Sequence, residues 1–243
     1  ESIRVVIRQY FLEDDDLKIP FSRNERAIVY ARSKVQNDKR AFGSIKDMYA
    51  NGAEWLTHSF APQTPDTSAL RISVGQGQCS QPYQLSLFNI SGMSFGALSG
   101  AAIRALNKGA ALGGFAHDTG EGSISVHHRE HGGDLIWQIA SGYFGCRDTD
   151  GRFDPERFAQ QARSPQVKMI EIKLSQGAKP GHGGVLPQAK VSAEIAQARG
   201  VQMGQDCVSP PRHSAFGNPI ELLQFLARLR ELSGGKPVGI KLC

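Results

Sequence analysis

The chain has 243 residues, enough for one large α/β domain or two small ones, and its 40% hydrophobic and 21% charged content excludes a disordered chain. The formal charge of +5 is scattered, with no Lys/Arg block and no basic stripe interleaved with aromatics, so nucleic acid is not expected as a partner. Four widely spaced cysteines, at 79, 146, 207 and 243, form no CxxC pair and no zinc-finger spacing, and no apolar run is long enough to span a bilayer; a reducing, cytoplasmic setting is expected.

In chain order, residues 1–83 read as an N-terminal helical region and connector. Glu13 to Asp16 form a solvated acidic patch. Ser22-Arg23-Asn24-Glu25 resembles a capping box that opens a helix reaching about Val35. Phe42, Tyr49, Trp55 and Phe60 are expected to pack. Residues 61–83, rich in Pro, Gln and Gly, read as the connector.

From Leu85 onward an apolar run followed by a Gly, Ser or charged turn recurs. The segments are LSLFNISGMSFG (85–96), GGFAHDTGEG (113–122), MIEIKLSQGAKPG (169–181), DCVSPPRH (206–213) and PVGIKLC (237–243). Between them lie helical patterns at 99–112 with Ser99 as N-cap, at 155–163, at 189–199 and at 219–232, the last with Leu222, Leu223, Leu226 and Leu229 on one face. A short apolar segment, 134–140, ends in SGYFG. Such alternation argues for βα units around a parallel sheet, whose functional groups gather at the carboxyl ends of the strands. The loop carrying Lys179 combines positive charge with little side-chain bulk and suits an anionic small molecule. The amides of Met93 to Gly96 and the following helix start suit a flat or anionic ligand. His127 and His128 are adjacent and point apart on a strand, so no metal site is expected. The missing initiator Met and a strand-like last segment suggest a piece of a longer polypeptide.

The ordered motifs MSFGALS, HDTGEG, IWQIASGYFGC, IEIKLSQGAKPGHGGVLP and DCVSPPRH resemble the FMN-binding synthase domain of glutamate synthase, and more closely the smaller glutamate synthase-related, FMN-binding proteins. The resemblance implies a (β/α)8 TIM barrel with FMN at its carboxyl-end face, of which 84–243 is the N-terminal portion. It implies reduction of 2-iminoglutarate, made from 2-oxoglutarate and ammonia, to L-glutamate. By motif, Met93, Ser94, Asp118, Gln138 and Lys241 become cofactor contacts, with Asp118 standing where the family usually has Asn and Lys241 placed near flavin N1 and O2. Glu121 and Lys179 become catalytic, and Lys173, Gln176 and Lys179 face a 2-oxo acid or related carboxylate. An electron donor protein or reductase is expected as a partner. Ammonia is expected from solution or from a glutaminase-type partner. No iron–sulfur cluster is encoded in this segment, and a membrane anchor upstream stays open.

Two departures bear on the substrate. His182-Gly183-Gly184-Val185 replaces the family's Glu-Gly-Gly-Gln, and Tyr143 replaces an Arg. Both weaken dicarboxylate recognition, because such a site depends on paired donors. They keep open an FMN barrel of different chemistry, such as an amine-to-glutamate synthase or a 2-hydroxyacid oxidase-like enzyme.

Overall fold

The computed structural model describes residues 21–37, 47–64, 66, 70–176 and 181–242. The chain divides into two units between Thr64 and Pro65. In the first unit, helix α1 (Arg23–Ser33) opens on the expected capping box: Glu25 N donates to Ser22 Oγ at 3.3 Å, and Ser22 N donates to Glu25 Oε2 at 2.7 Å. None of its residues is buried. Tyr49, Trp55 and Phe60, expected to pack, are exposed instead, because nothing described lies over them. Phe42 and the 13–16 acidic patch lie outside the described residues.

The second unit starts with an antiparallel hairpin of β1 (Arg71–Val74) and β2 (Tyr83–Ser86). β1 sits in the stretch that reads as connector; its RISV run is too short to stand out among the surrounding Gly and Gln. The chain then reaches Ile90, which bridges in parallel to His117. Helix α2 (Gly100–Gly113) follows, capped by Ser99 and ended by Gly114 in the left-handed region at φ 64°. Strand β3 (His117–Asp118), the short helix α3 (Val126–Arg129), strand β4 (Leu135–Ile139), helix α4 (Pro155–Ala162) and strand β5 (Val167–Lys173) come next.

After β5 the chain makes an excursion. β6 (Val185–Leu186) pairs antiparallel with β7 (Cys207–Val208), and helix α5 (Ala193–Arg199) lies between them. The DCVSPPRH segment therefore belongs to a separate two-stranded ladder and not to the parallel sheet. Pro210 and Pro211 have no N–H to donate, so the segment cannot run on as a central strand. Helix α6 (Pro219–Leu232) and strand β8 (Val238–Lys241) complete the unit.

β3, β4, β5 and β8 form one parallel sheet in that order, so each new strand adds to the same edge. Strand period 2 gives this sheet two chemically different faces. Leu135, Trp137, Ile139, Ile170 and Ile172 point to the helices, where Trp137 stacks on Phe158 of α4 with centroids 5.4 Å apart and Phe225 and Leu229 of α6 join the same core. Each such aliphatic or aromatic side chain stabilises the fold by roughly 1.5–3 kcal/mol when fully buried. Ile136, Gln138, Met169, Glu171, Lys173 and Lys241 point the other way. Along α6 the inward stripe is Phe225, Leu226 and Leu229, while Leu222 is half-buried and Leu223 is exposed; helical spacing selects Phe225 over Leu223. Among the described residues no helix is long and apolar enough to cross a membrane.

Candidate functional site

The polar face of the sheet ends in loops that carry most of the residues singled out by sequence. At its floor, Asp118 closes β3 and is almost fully buried. Its Oδ1 accepts from the Gly120 amide at 2.9 Å, and its Oδ2 accepts from Gln138 Nε2 at 3.1 Å. The same Gln138 nitrogen donates to Glu171 Oε2 on β5. Burial pushes the Asp118 carboxyl up to about 8, helped by the neighbouring Glu171 charge; the Gly120 N–H and Lys241 pull in the opposite direction. Lys241 ends β8 in register with Lys173 of β5, which puts both lysines at the same strand-end level.

Gly92 lies directly above this floor. A Cβ there would meet Gln138 Nε2 at 2.8 Å and Asp118 Oδ2 at 2.9 Å, so only glycine lets this backbone rest on the polar groups. Met93 and Ser94 continue the loop, with Met93 partly exposed at its rim. The Ser94 carbonyl accepts from the amides of Ala97 and Leu98, each at 3.0 Å, which fixes the turn into α2.

Beside the floor is a triad from two segments, the loop after β3 and the end of β5. Lys173 Nζ donates to Glu121 Oε2 at 3.3 Å and to Gln176 Oε1 at 2.8 Å, and Gln176 Nε2 donates to Glu121 Oε2 at 2.8 Å. The Lys173 and Glu121 side chains are each only 12% exposed, so the ion pair is shielded from bulk water. Gly184 approaches so closely that a Cβ would fall 2.3 Å from Glu121 Oε1. Together with the Gly92 to Ser94 loop these residues enclose a cavity of 380 Å³. His213 supports its wall, with Nε2 on the Lys173 carbonyl at 2.9 Å and Nδ1 on the Tyr143 hydroxyl at 3.0 Å.

The structure thus gathers Met93, Ser94, Glu121, Lys173 and Gln176 around one cavity, and joins Asp118 to Gln138 beneath it. Lys179 lies outside the described residues. Two functional candidates are not among the residues that the motifs single out. Glu171 is two residues before Lys173 on the same strand face, and that period is the signal that marks it. Arg199 ends α5 and is 4% exposed; its Nη2 donates to the Phe95 carbonyl at 3.0 Å, and its guanidinium lies over the Phe144 ring at 5.1 Å. It borders the cavity, and its Nε has no hydrogen-bond partner. No local pattern marks a helix-terminal arginine for such a place; only tertiary packing does. Tyr143, in contrast, turns into the core, its hydroxyl accepting from the Ala215 amide at 3.1 Å.

A parallel α/β domain with charged and amide side chains converging at its strand ends has the layout in which α/β proteins place their ligand sites, at the carboxyl edge of the sheet. Comparison with known proteins narrows this class. A family profile described as "Conserved region in glutamate synthase" matches residues 45–243. A Bacillus subtilis (strain 168) protein named "Glutamate synthase large subunit-like protein YerD" is 35% identical, over all of this chain and 53% of its own length. A Rhizobium meliloti (strain 1021) "Glutamate synthase large subunit-like protein" is 34% identical over 72% of this chain and 37% of its own. An "Archaeal glutamate synthase [NADPH]" of Archaeoglobus fulgidus is 37% identical over 63% of this chain and 27% of its own. The chain belongs to the glutamate synthase family, and it spans about half or less of the length of these relatives.

Proposed function

We propose that the protein is a flavin-dependent oxidoreductase of the glutamate synthase type, forming L-glutamate by reducing the imine of 2-oxoglutarate and ammonia. The observation that carries this reading is the Lys173–Glu121–Gln176 triad, a shielded proton-bearing cluster that opens into the cavity beside the polar strand ends. The sheet in which every strand adds to the same edge supports a (β/α)8 barrel, completed by strands beyond β8.

The residues present fit FMN. The Gly92 to Ser94 backbone lines the cavity at the strand ends, Gln138 and Asp118 lie directly beneath it, and Lys241 brings a cation to the strand-end level. When bound, the flavin supplies the hydride for the imine carbon. The chain's own residues do the rest. Lys241 would bring a positive charge that stabilises a reduced, electron-rich flavin. Arg199 holds a substrate carboxylate from its buried position. Lys173 and Glu121 hold a proton for the nitrogen that becomes an amine. Reducing equivalents come from a partner protein or reductase, and ammonia from solution or a supplying partner.

A second reading keeps the flavin barrel and changes the substrate. Val185 favours it: an aliphatic, largely exposed side chain borders the cavity where a donor for a second carboxylate is expected. The test is to purify the full-length protein, record its visible spectrum, reduce it without oxygen, and add 2-oxoglutarate with ammonium. Rapid reoxidation of a bound flavin is the expected result. A bound flavin that these substrates do not reoxidise selects the second reading, and a colourless protein overturns both.

A further inference from the structure

Within the sheet, β3 and β5 each send a carboxyl to the same amide on the strand between them. Gln138 Nε2 donates to Asp118 Oδ2 at 3.1 Å and to Glu171 Oε2, which holds the two carboxyls against one nitrogen. Two carboxylates held this close repel each other, and the repulsion is relieved when one of them is neutral. The surroundings favour that state. Asp118 is 6% exposed, so little water screens a second negative charge. The groups facing the pair are the Gly120 amide from the β3 loop, Gln138 from β4 and Lys241 from β8. Lys241 supplies one full positive charge, and Lys173, next on the same face of β5, is paired with Glu121, so a second carboxylate is left without a counter-charge. Gly92 roofs the pair and also borders the cavity, so the carboxyls lie directly under the site.

We propose that Asp118 and Glu171 hold a single proton between them at neutral pH and form the proton store of the strand-end site. The use of the store rests on the amine-forming reading given above; its existence does not. In use, the O–H bond of the neutral carboxyl breaks and the proton passes toward the cavity, to the nitrogen that gains hydride at its carbon. The pair is left as two carboxylates opposite Lys241, and water returns the proton afterwards. No electrons pass through the pair.

The experiment is infrared spectroscopy of the full-length protein at neutral pH in ordinary and heavy water, comparing wild type with Asp118→Asn and Glu171→Gln. The wild type is expected to show the C=O stretch of a neutral carboxylic acid, moved by deuteration. Either substitution is expected to remove that band, because it takes away one of the two carboxyls between which the proton is held. Absence of the band in wild type overturns the proposal whether or not the variants fold. Survival of the band in either variant also overturns it, since one carboxyl would then be neutral through burial alone. The visible spectrum and substrate reoxidation of the same samples keep the two claims apart. A band without flavin reoxidation leaves the pair and removes the reaction; reoxidation without the band does the reverse.

Discussion

Asp118 stores a pH signature in the stability of the fold. Its carboxyl is raised from 3.8 to about 8, so the folded state binds a proton that the unfolded chain has released across that window. Its contribution is complete below the unfolded value and lost as the pH rises through the folded one. The wild type is therefore expected to melt at progressively lower temperature between those two values, and Asp118→Asn to flatten that slope in a pH series of melting curves. His117 and His128 act with the opposite sign. Burial holds them down to about 4 and about 3, so their contribution is present above 6.5 and lost as the pH falls. That acid limb is expected to survive in Asp118→Asn. At the cavity, Glu121→Gln removes the carboxylate that accepts from both Lys173 and Gln176. Under the proposed reaction, Glu121→Gln in the flavin-loaded full-length protein is expected to lower kcat about a hundredfold, the scale of general acid–base catalysis, and steady-state kinetics check it. Glu121, Lys173 and Gln176 are legible in the sequence, since each belongs to a short motif at or just past a strand end. Arg199 is illegible there, because its role depends on where α5 comes to rest against Phe95 and Phe144.

Helix α6 shows how pattern and packing part company. A leucine-rich run suggests a stripe of four leucines, yet the side that meets Trp137 and Phe158 is set by helical rotation, and it takes Phe225 in place of Leu223. Leu229→Ala is expected to cost about 2–5 kcal/mol, as for other buried leucines. Leu223→Ala is expected to stay within about 0.5 kcal/mol, as for an exposed site. Urea unfolding of the two variants separates the cases. The start of the helix is easier to read. Asn218 accepts from the Glu221 amide at 3.0 Å and Pro219 takes the first helical position, where a missing N–H costs nothing. Local chemistry of this kind is complete within four residues and is visible in sequence. The β6–β7 pairing is not, because a two-residue run of Cys207-Val208 carries no periodicity that would distinguish an antiparallel ladder from a central parallel strand.

The sheet as a whole grows in one direction, from Ile90 through β3, β4 and β5 to β8. β8 turns the carbonyls of Pro237 and Lys241 toward β5, so the alternate residues Val238 and Ile240 turn their amides to the other edge. In a closed barrel those two amides pair with a further strand. Hydrogen exchange on the full-length protein is expected to find them protected to the same degree as those of β5, and fast exchange would count against closure. The alternation of strand and helix makes the parallel sheet readable from sequence, whereas closure is a property of the complete set of strands. The excursion between β5 and α6 has one further effect, on the order in which the chain assembles. Leu135 finds Val167 soon after both leave the ribosome, but Ile170 must wait for Val238 until the β6–β7 ladder, α5 and α6 have been synthesised. Closing a longer loop costs entropy and slows pairing. The nascent protein therefore passes through a stage in which the edge of β5 is bare, and that stage is where chaperone engagement and misassembly compete with folding.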